Sequence, residues 1–322
     1  MKKSVEIAVG TAAILLVLGI ALAGIGFWGM GFHFGALNTE DIVSSTFEIS
    51  EVFRDISIES DSADLYFAAS EDGVCRVECV NFAHESYAVH AENGTLTITK
   101  NDDRAWHENI RRFSIGETYV TVYLPEENYA SLQIHESTGD IEMPAAFTFE
   151  QAVIRTSTGD VCWLAPVSEE LSITTDTGDV EVRSVSPRSL ALKTDTGDSS
   201  VSEVRDAQQI SVETDTGKVE LTNTGCTSLS ADSDTGDIVL KNVIADELLT
   251  IKTDTGDLVF DRSDAAGIFV QTNTGDVTGT LISDKVFLIE TSTGDVDVPK
   301  SVTGTRCEII TDTGDTELRI GQ

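Results

Sequence analysis

Ten copies of one short motif, each built around a Thr-Gly pair, recur along the chain at a nearly constant spacing. The copy IKTDTGDLVF, Ile251 to Phe260, is representative; six copies read Asp-Thr-Gly and the others begin with Ser or Asn. Successive glycines are 19 or 20 residues apart, at Gly139, Gly159, Gly178, Gly197, Gly217, Gly236, Gly256, Gly275, Gly294 and Gly314. Fixed self-similarity at this period is typical of a solenoid or array, so the repeat limits the fold more than any other feature.

Each repeat alternates apolar and polar residues on both sides of its glycine. Positions seven and five before the glycine are apolar, as in Leu249 and Ile251, and threonines three and one before it, as in Thr253 and Thr255, continue the same face. The pattern restarts two residues after the glycine, at Leu258 in this repeat. A period of two predicts a half-buried strand, and the slip at the glycine predicts a corner with a positive φ.

Two architectures accommodate a strand, a Gly-Asp corner, a second strand and a variable return. In a parallel β-solenoid each repeat is one coil, and equivalent residues stack about 4.8 Å apart. In a meander each corner is a hairpin turn between antiparallel strands. A coil must keep a constant perimeter, whereas hairpins tolerate drift in length, so the period of 19 to 20 residues favours stacking. We therefore predict an all-β fold, a parallel β-solenoid with right-handed winding and about ten coils.

The repeats are one part of a chain of 322 residues. They occupy residues 131–322, where we place the solenoid, and irregular coils that start and cap it are predicted over residues 46–130. In that earlier segment, runs such as YVTVYL (Tyr119 to Leu124) still alternate as strands do. Terminal repeats of solenoids are commonly atypical in this way.

The N-terminal segment is apolar and long enough to span a bilayer. The run AVGTAAILLVLGIALAGIGFWGMGF exceeds the roughly 20 apolar residues that a transmembrane helix requires. Lys2 and Lys3 precede it and no Lys or Arg follows until Arg54, which predicts a single-pass membrane protein. Residues 1–6 are then cytoplasmic, 7–35 form the anchor, 36–45 form a linker, and the C-terminal domain is extracytoplasmic. A cleaved signal with its site near Ala21-Leu22-Ala23 is the alternative.

The net charge of the chain is -34, from 21 basic and 55 acidic residues. A surface of this sign repels nucleic acid and anionic lipid, so we exclude nucleic acid as a partner. It attracts metal ions, other cations and basic peptides. The same charge would also keep a long, strand-rich solenoid soluble and free of edge-to-edge aggregation.

Two columns of aspartates flank the glycines and are the candidate site. One follows the glycine in nine copies, with Lys218 in the tenth, and by the alternation the other points outward two residues before it. The outward column consists of Asp176, Asp195, Asp215, Asp234, Asp254 and Asp312. Two hypotheses account for the stacked charges: each Asp accepts N–H groups at its own corner, or calcium ions lie between coils and are held by the outward carboxylates. Calcium is the only cofactor we consider, and Asn273 and Ser292 would interrupt such a series.

No catalytic residues are predicted. An aspartic protease carries its carboxylates in Asp-Thr-Gly, but it needs one pair that shares a proton and not a series. No Gly-x-Ser-x-Gly elbow, Gly-rich phosphate loop or histidine pair with metal-ligand spacing occurs. A polysaccharide-cleaving β-helix is the enzyme alternative, yet Lys218, Lys241 and Lys252 form no evident constellation with carboxylates. The chain is therefore predicted not to be an enzyme.

The combination of features resembles a known family. An N-terminal anchor, a strand-rich head, the step Tyr123-Leu124-Pro125 and Leu-x-Ile-x-Thr-x-Thr-Gly-Asp-Val repeats are similar to the bacterial DUF4097, or putative adhesin, family. The resemblance covers roughly Phe47 to the C-terminus. It implies a β-helical domain at the cell surface or attached to the membrane, and it brings no catalytic residues.

Three functions remain open from the sequence. The first is a membrane-anchored, non-catalytic surface module that binds an extended or cationic ligand, such as a cell-wall polymer, another surface protein or a cationic peptide. The second is a structural or signalling component of the envelope that acts through a membrane partner. The third is glycan cleavage. Flat stacked sheets lined with repeated polar residues favour the first.

Overall fold

The computed structural model describes residues 41–102 and 116–321. The predicted anchor at 7–35 lies outside the described residues. All 24 regular elements within the described ranges are β-strands, and none of those residues forms a helix that could cross a bilayer.

The strands follow one another along the chain with short connections. The first seven are β1 (Ile42–Ile49), β2 (Asp55–Glu59), β3 (Asp64–Ala69), β4 (Cys75–Phe82), β5 (Glu85–Glu92), β6 (Thr95–Asp102) and β7 (Tyr119–Leu124). The next nine are β8 (Asn128–Thr138), β9 (Ile141–Met143), β10 (Thr148–Thr158), β11 (Val161–Trp163), β12 (Val167–Thr177), β13 (Val180–Arg183), β14 (Ser189–Thr196), β15 (Ser199–Ser202) and β16 (Ala207–Thr216). The last eight are β17 (Val219–Thr235), β18 (Ile238–Thr255), β19 (Leu258–Thr274), β20 (Val277–Leu281), β21 (Lys285–Thr293), β22 (Val296–Asp297), β23 (Thr305–Thr313) and β24 (Thr316–Ile320).

From β8 onward, equivalent strands of successive repeats pair in parallel and in register. Leu171 lies beside Leu190 and Ile173 beside Leu192, for example, and the strands after the corner pair in the same manner. Each inward position thereby forms a column of like residues that runs along the stack. These columns supply one continuous buried core, so the half-buried strands that the alternation predicts are stabilised only by neighbouring coils.

The inward alternation ends earlier than predicted. Thr175 and Thr253, three residues before their glycines, are buried, but Thr177 and Thr255 directly before the glycines are exposed. The prediction that both threonines face inward is therefore wrong for the second one. The chain turns outward at the residue pair before each glycine, so two successive side chains meet solvent there.

The coils follow chain order in the middle of the stack but not at its ends. The C-terminal coil, β23 and β24, lies between the β19–β20 coil and the β21–β22 coil. At the other end, β2 and β3 lie between β6–β7 and β8–β9. The terminal coil at the C-terminal end of the stack is therefore the one that carries Gly294.

Antiparallel strands cover the N-terminal end of the stack. β4 pairs antiparallel with β7 and with β1, and β5 pairs antiparallel with β6. Beneath this cap the core is aromatic: Tyr129 stacks between Phe53 and Phe149, with ring centroids 6.0 and 5.6 Å away, and Phe149 contacts Trp163.

The parallel register confirms the prediction of an all-β, parallel β-solenoid of about ten turns and excludes the meander. Right-handed winding stays a prediction.

Candidate functional site

The corner of each repeat is built on a column of glycines in close contact. Their φ angles lie between +145° and +159°, a region that residues with a Cβ rarely adopt. A Cβ on Gly217 would lie 2.0 Å from the carbonyl oxygen of Gly197, and the other glycines of the column have a backbone oxygen at 1.9 to 2.2 Å. Glycine is thus required twice at each corner, by the backbone angle and by the neighbouring coil.

Several inward threonines connect their corners to the coil before. The hydroxyls of Thr194, Thr214 and Thr253 donate to the carbonyl oxygens of the preceding glycines at 3.2, 3.3 and 3.4 Å. Each of these buried hydroxyls therefore finds an acceptor in the neighbouring coil. The repeat carries Thr or Ser at this position in all copies but the first, which has Glu136.

The aspartate after each glycine joins neighbouring coils by a directional ladder. The Oδ1 atom of Asp140 accepts the N–H of Asp160 at 2.9 Å, Asp160 accepts that of Asp179 at 2.7 Å, and Asp179 accepts that of Asp198 at 2.7 Å. The ladder begins at Asp64 and ends with Asp315, which accepts the N–H of Asp295 at 2.8 Å. Lys218 interrupts the ladder. Asp198 accepts the N–H of Lys218, but Lys218 has no carboxylate to accept the N–H of the next coil.

The prediction that these carboxylates accept backbone N–H groups is confirmed for this column, but the predicted donor is wrong. The N–H belongs to the next coil and not to the aspartate's own corner. Period and alternation cannot identify this donor, because it depends on the offset between coils.

The outward column consists of exposed carboxylates. All six predicted residues, Asp176, Asp195, Asp215, Asp234, Asp254 and Asp312, are exposed. Those from Asp176 to Asp254 occupy five consecutive coils. Asp254 accepts a hydrogen bond from Asn273 at 2.9 Å, and the exchanged coil order places Asp312 between the coils of Asn273 and Ser292.

The structure brings the outward carboxylates into one line but not into clusters. Within residues 41–102 and 116–321, no group of three or more His, Cys, Asp or Glu side chains is arranged to hold a metal ion. Calcium prefers six to eight oxygen ligands, and the column offers one carboxylate per coil. Calcium binding at these aspartates stays a prediction.

The carboxylates of this face act on the pKa of a neighbouring group. Burial raises the pKa of Asp232, and the carboxylates of Glu213, Asp234 and Asp254 raise it further, while Lys252 lowers it. A shallow groove of about 340 Å³ lies on the other side of the corner. Carboxylates dominate its lining: Asp140, Glu142, Asp160, Asp179 and Glu181. Both faces beside the corner therefore present negative charge to a ligand.

One inward position of the N-terminal coils carries a buried acid in place of threonine. Glu136 is 5% exposed, its Oε1 accepts the N–H groups of Ser137 and Thr138, and its Oε2 has no hydrogen-bond partner among the described residues. Burial raises the pKa of Glu136 to about 7. Aligning the repeats on glycine exposes this exception, but the sequence does not say what surrounds it.

Two buried lysines were not predicted. Lys100 of β6 contacts Glu85 at 3.0 Å and donates to Ser62, beneath the N-terminal cap. At the other end Lys285 is fully buried, forms an ion pair with Asp264, and donates to the backbone oxygen of Ala265 at 2.6 Å.

The Lys285 ammonium also donates to Thr305 at 2.7 Å, so it connects β21 to β19 and β23. Asp264 in turn accepts the N–H groups of Ala265 and Ser283. This cluster lies near the start of β21. There the chain leaves the β19–β20 coil and skips the adjacent coil position, which β23 and β24 occupy. It joins the three coils whose order is exchanged.

These features define a class of protein: a capped parallel β-solenoid with glycine corners and an acidic face. The sequence profile of the Toastrack DUF4097 family matches residues 53–245, which is 193 of the 322 residues, and the chain belongs to that family. This confirms the resemblance noted from the repeats. No curated protein matches the sequence.

A solved structure agrees with the fold. The chain is similar to a putative adhesin from Parabacteroides distasonis ATCC 8503, with 11% identity and a TM-score of 0.50, over 87% of this chain and 98% of that one. It is also similar to a putative adhesin from Bacteroides fragilis NCTC 9343, with 14% identity and a TM-score of 0.42, over 87% of this chain and 97% of that one. At such identities the likeness concerns the fold alone.

Proposed function

We propose that this protein is a non-catalytic, membrane-anchored surface module of the adhesion type that binds extended, cationic ligands along its outward aspartate column. The observation that carries the proposal is the contrast between the two columns. One column is engaged in joining coils, whereas five consecutive outward carboxylates, Asp176 to Asp254, are exposed and one coil apart.

The physical basis is charge repulsion along the column. Carboxylates about 4.8 Å apart in water repel by about 0.9 kcal/mol per neighbouring pair before salt screening. A ligand with several positive charges along its length relieves that repulsion at several coils at once, so binding gains from multivalency. An extended peptide rises about 3.3 Å per residue, and alternate side chains on one face recur every 6 to 7 Å. Basic peptides, cationic wall polymers and basic surface proteins fit this description.

The predicted location completes the proposal. Lys2 and Lys3 before the apolar segment favour a cytoplasmic N-terminus, a single-pass anchor at 7–35 and an extracytoplasmic solenoid. A role at the cell surface also fits the name of the Parabacteroides distasonis structure that shares this fold, a putative adhesin. A catalytic role has no support from the geometry of the described residues, where carboxylates stand in rows without a proton-sharing pair in a cavity.

The test is binding of a fluorescent ten-residue oligolysine to the full chain in detergent micelles. The variant replaces Asp176, Asp195, Asp215, Asp234 and Asp254 by Asn. A matched control removes five exposed acids elsewhere by amide substitution: Glu126, Glu170, Asp206, Asp246 and Glu247. Both variants change the net charge equally.

We expect the column variant to lose at least about tenfold in affinity and the control to lose much less, because the ligand needs aligned charges. Affinity should fall as salt rises. Equal losses in both variants would show non-specific attraction to an acidic protein, and the column would then not be the site.

Calcium is tested separately by thermal unfolding of the full chain. A saturable rise in Tm with calcium, absent with magnesium and reversed by chelator, would make the outward column an ion site. Equal shifts with both ions would indicate screening alone, and the calcium hypothesis would be dropped.

A further inference from the structure

The two ends of the stack differ in how their edges are covered. The N-terminal end finishes in antiparallel strands, β1 paired with β4 and β5 with β6, whereas the terminal coil at the other end consists of the parallel strands β21 and β22, which pair on one side only, with β23 and β24. Elsewhere each corner glycine N–H donates to the next coil, as Gly314 does to Thr293 at 2.9 Å. Gly294 has no further coil to receive its N–H among the described residues. This end is an open template for strand pairing.

The inward columns also reach solvent at this end. Phe287 and Ile289 continue the columns of Cys307 and Ile309, which are fully buried, yet both are only partly buried. Val296 is 46% exposed although it continues the column of a buried threonine. The core is therefore unfinished at the terminal coil.

The edge strand is apolar on both of its faces. Val286 and Leu288 alternate with Phe287 and Ile289, so four successive apolar residues lie on an unpaired edge, and Leu288 is 47% exposed. Natural edge strands usually carry charges, prolines or bulges that prevent pairing, and this stretch carries none of them. Such an edge is expected to be paired in the working protein.

We propose that the occupant is a second copy of this chain, joined end to end through β21. A partner strand must present apolar residues on both faces, and β21 itself does so. Consider two β21 strands paired antiparallel, with Leu288 of one copy opposite Leu288 of the other. Phe287 of each copy then lies opposite Ile289 of the other, and Val286 lies opposite Glu290. No two charged residues of the strand are then opposed, although the chain is acidic, and the unfinished core columns are closed.

The topology favours a closed pair of two chains. The N-terminal end finishes in the antiparallel strands β1 and β5, which do not continue the parallel coils, whereas an isologous pairing of the two C-terminal ends closes on itself. The inference does not depend on the acidic column or its ligand.

Cross-linking of the full chain in detergent micelles tests the dimer. Leu288→Cys should give a covalent dimer with a short bismaleimide, whereas Leu248→Cys should not. Leu248 is a matched control, since it is 46% exposed but lies in β18, which is paired on both sides. The native cysteines are present in both variants, so they contribute equally.

Hydrogen exchange supplies the second measurement. Amides of residues 285–293 should exchange at least about tenfold more slowly at high than at low protein concentration, and Leu288→Lys should abolish the difference while Leu248→Lys retains it. Higher salt should strengthen the dimer, because two chains of charge -34 repel, whereas it weakens the binding of oligolysine. Exchange that is independent of concentration, or equal cross-linking at both positions, would overturn the proposal. Protection that disappears on deletion of residues 1–40 alone would assign the edge to that segment instead.

Discussion

The middle of the stack and its two ends share one continuous core, yet they are held together differently. In the middle, coils follow chain order, the interior is neutral, and the corner glycines make the same close contact in each coil, with most aspartates of the ladder donating and accepting alike. At the ends, one coil is inserted out of order and buried charges appear: Glu136 and Lys100 at one end, Lys285 at the other.

The difference shows what a repeat can and cannot specify. Identical corners stack equally well on any neighbour, so the repeat stabilises a stack without determining which coil lies next to which. Residues that break the repeat remove this freedom, because a buried charge must meet its own partner. Stability in the middle is therefore expected to depend on shape, and at the ends on charge pairing.

The largest effect is expected for Gly256→Ala in the middle. The new Cβ would lie 2.0 Å from the carbonyl oxygen of Gly236, at a φ of +159°. The variant should lose more than about 4 kcal/mol or fail to fold. Gly225→Ala is the matched control, since nothing lies within 4 Å of its Cβ, and urea unfolding should show a change below about 1 kcal/mol. Similar losses in both variants would contradict the close-packed corner.

Next in size is Lys285→Met at the C-terminal end. The substitution leaves Asp264 buried without its cation, and breaking such a pair typically costs about 3–5 kcal/mol. The double variant Lys285→Met with Asp264→Asn should recover part of this loss in urea unfolding, because no uncompensated charge remains. If the double variant is as unstable as the single one, packing and not charge pairing holds the exchanged coils.

A third prediction concerns pH and Glu136 at the N-terminal end. The folded-state pKa of about 7 lies above the ordinary value of 4.5, so the folded protein binds this proton more tightly. The wild type should therefore lose stability as pH rises from 4.5 to 7. Glu136→Gln should remove this loss and be more stable above pH 7 by up to about 3 kcal/mol.

Thermal unfolding at pH 4.5 and pH 8 measures the effect of Glu136. Glu142→Gln, on an exposed outward position, controls for the loss of one negative charge. If the difference in Tm between Glu136→Gln and the wild type is the same at both pH values, burial does not disfavour the charged form of the Glu136 carboxyl group.

The smallest effect separates the two aspartate columns. Asp179→Ala removes the acceptor of the Asp198 N–H and should cost about 1–2 kcal/mol, and Asp179→Asn should restore part of it. Asp176→Ala, in the outward column of the same coil, should change stability by less than about 0.5 kcal/mol. Equal losses in urea unfolding would mean that the outward carboxylates also hold coils together.

Much of the fold was predictable because it depends on local spacing. The period of 19 to 20 residues, the two-residue alternation and the glycine at each slip predict a parallel solenoid without any knowledge of contacts. The candidate site was predictable to the same extent: the aspartate columns and their outward direction follow from alternation, as the exposure of Asp176 and its equivalents shows.

Contacts between coils were beyond such reasoning. The N–H that Asp179 accepts belongs to the next coil, and the exposed Thr177 departs from the alternation because the chain turns outward at the corner. The exchanged order of the last coils depends on Lys285 meeting Asp264 and Thr305, which are 21 and 20 residues away in sequence. The sequence by itself determined the unit and its period, because these are local. Only the tertiary structure decided the order of the units, because the corners are alike from repeat to repeat and the contacts that differ, such as that of Lys285 with Asp264, join residues distant in sequence.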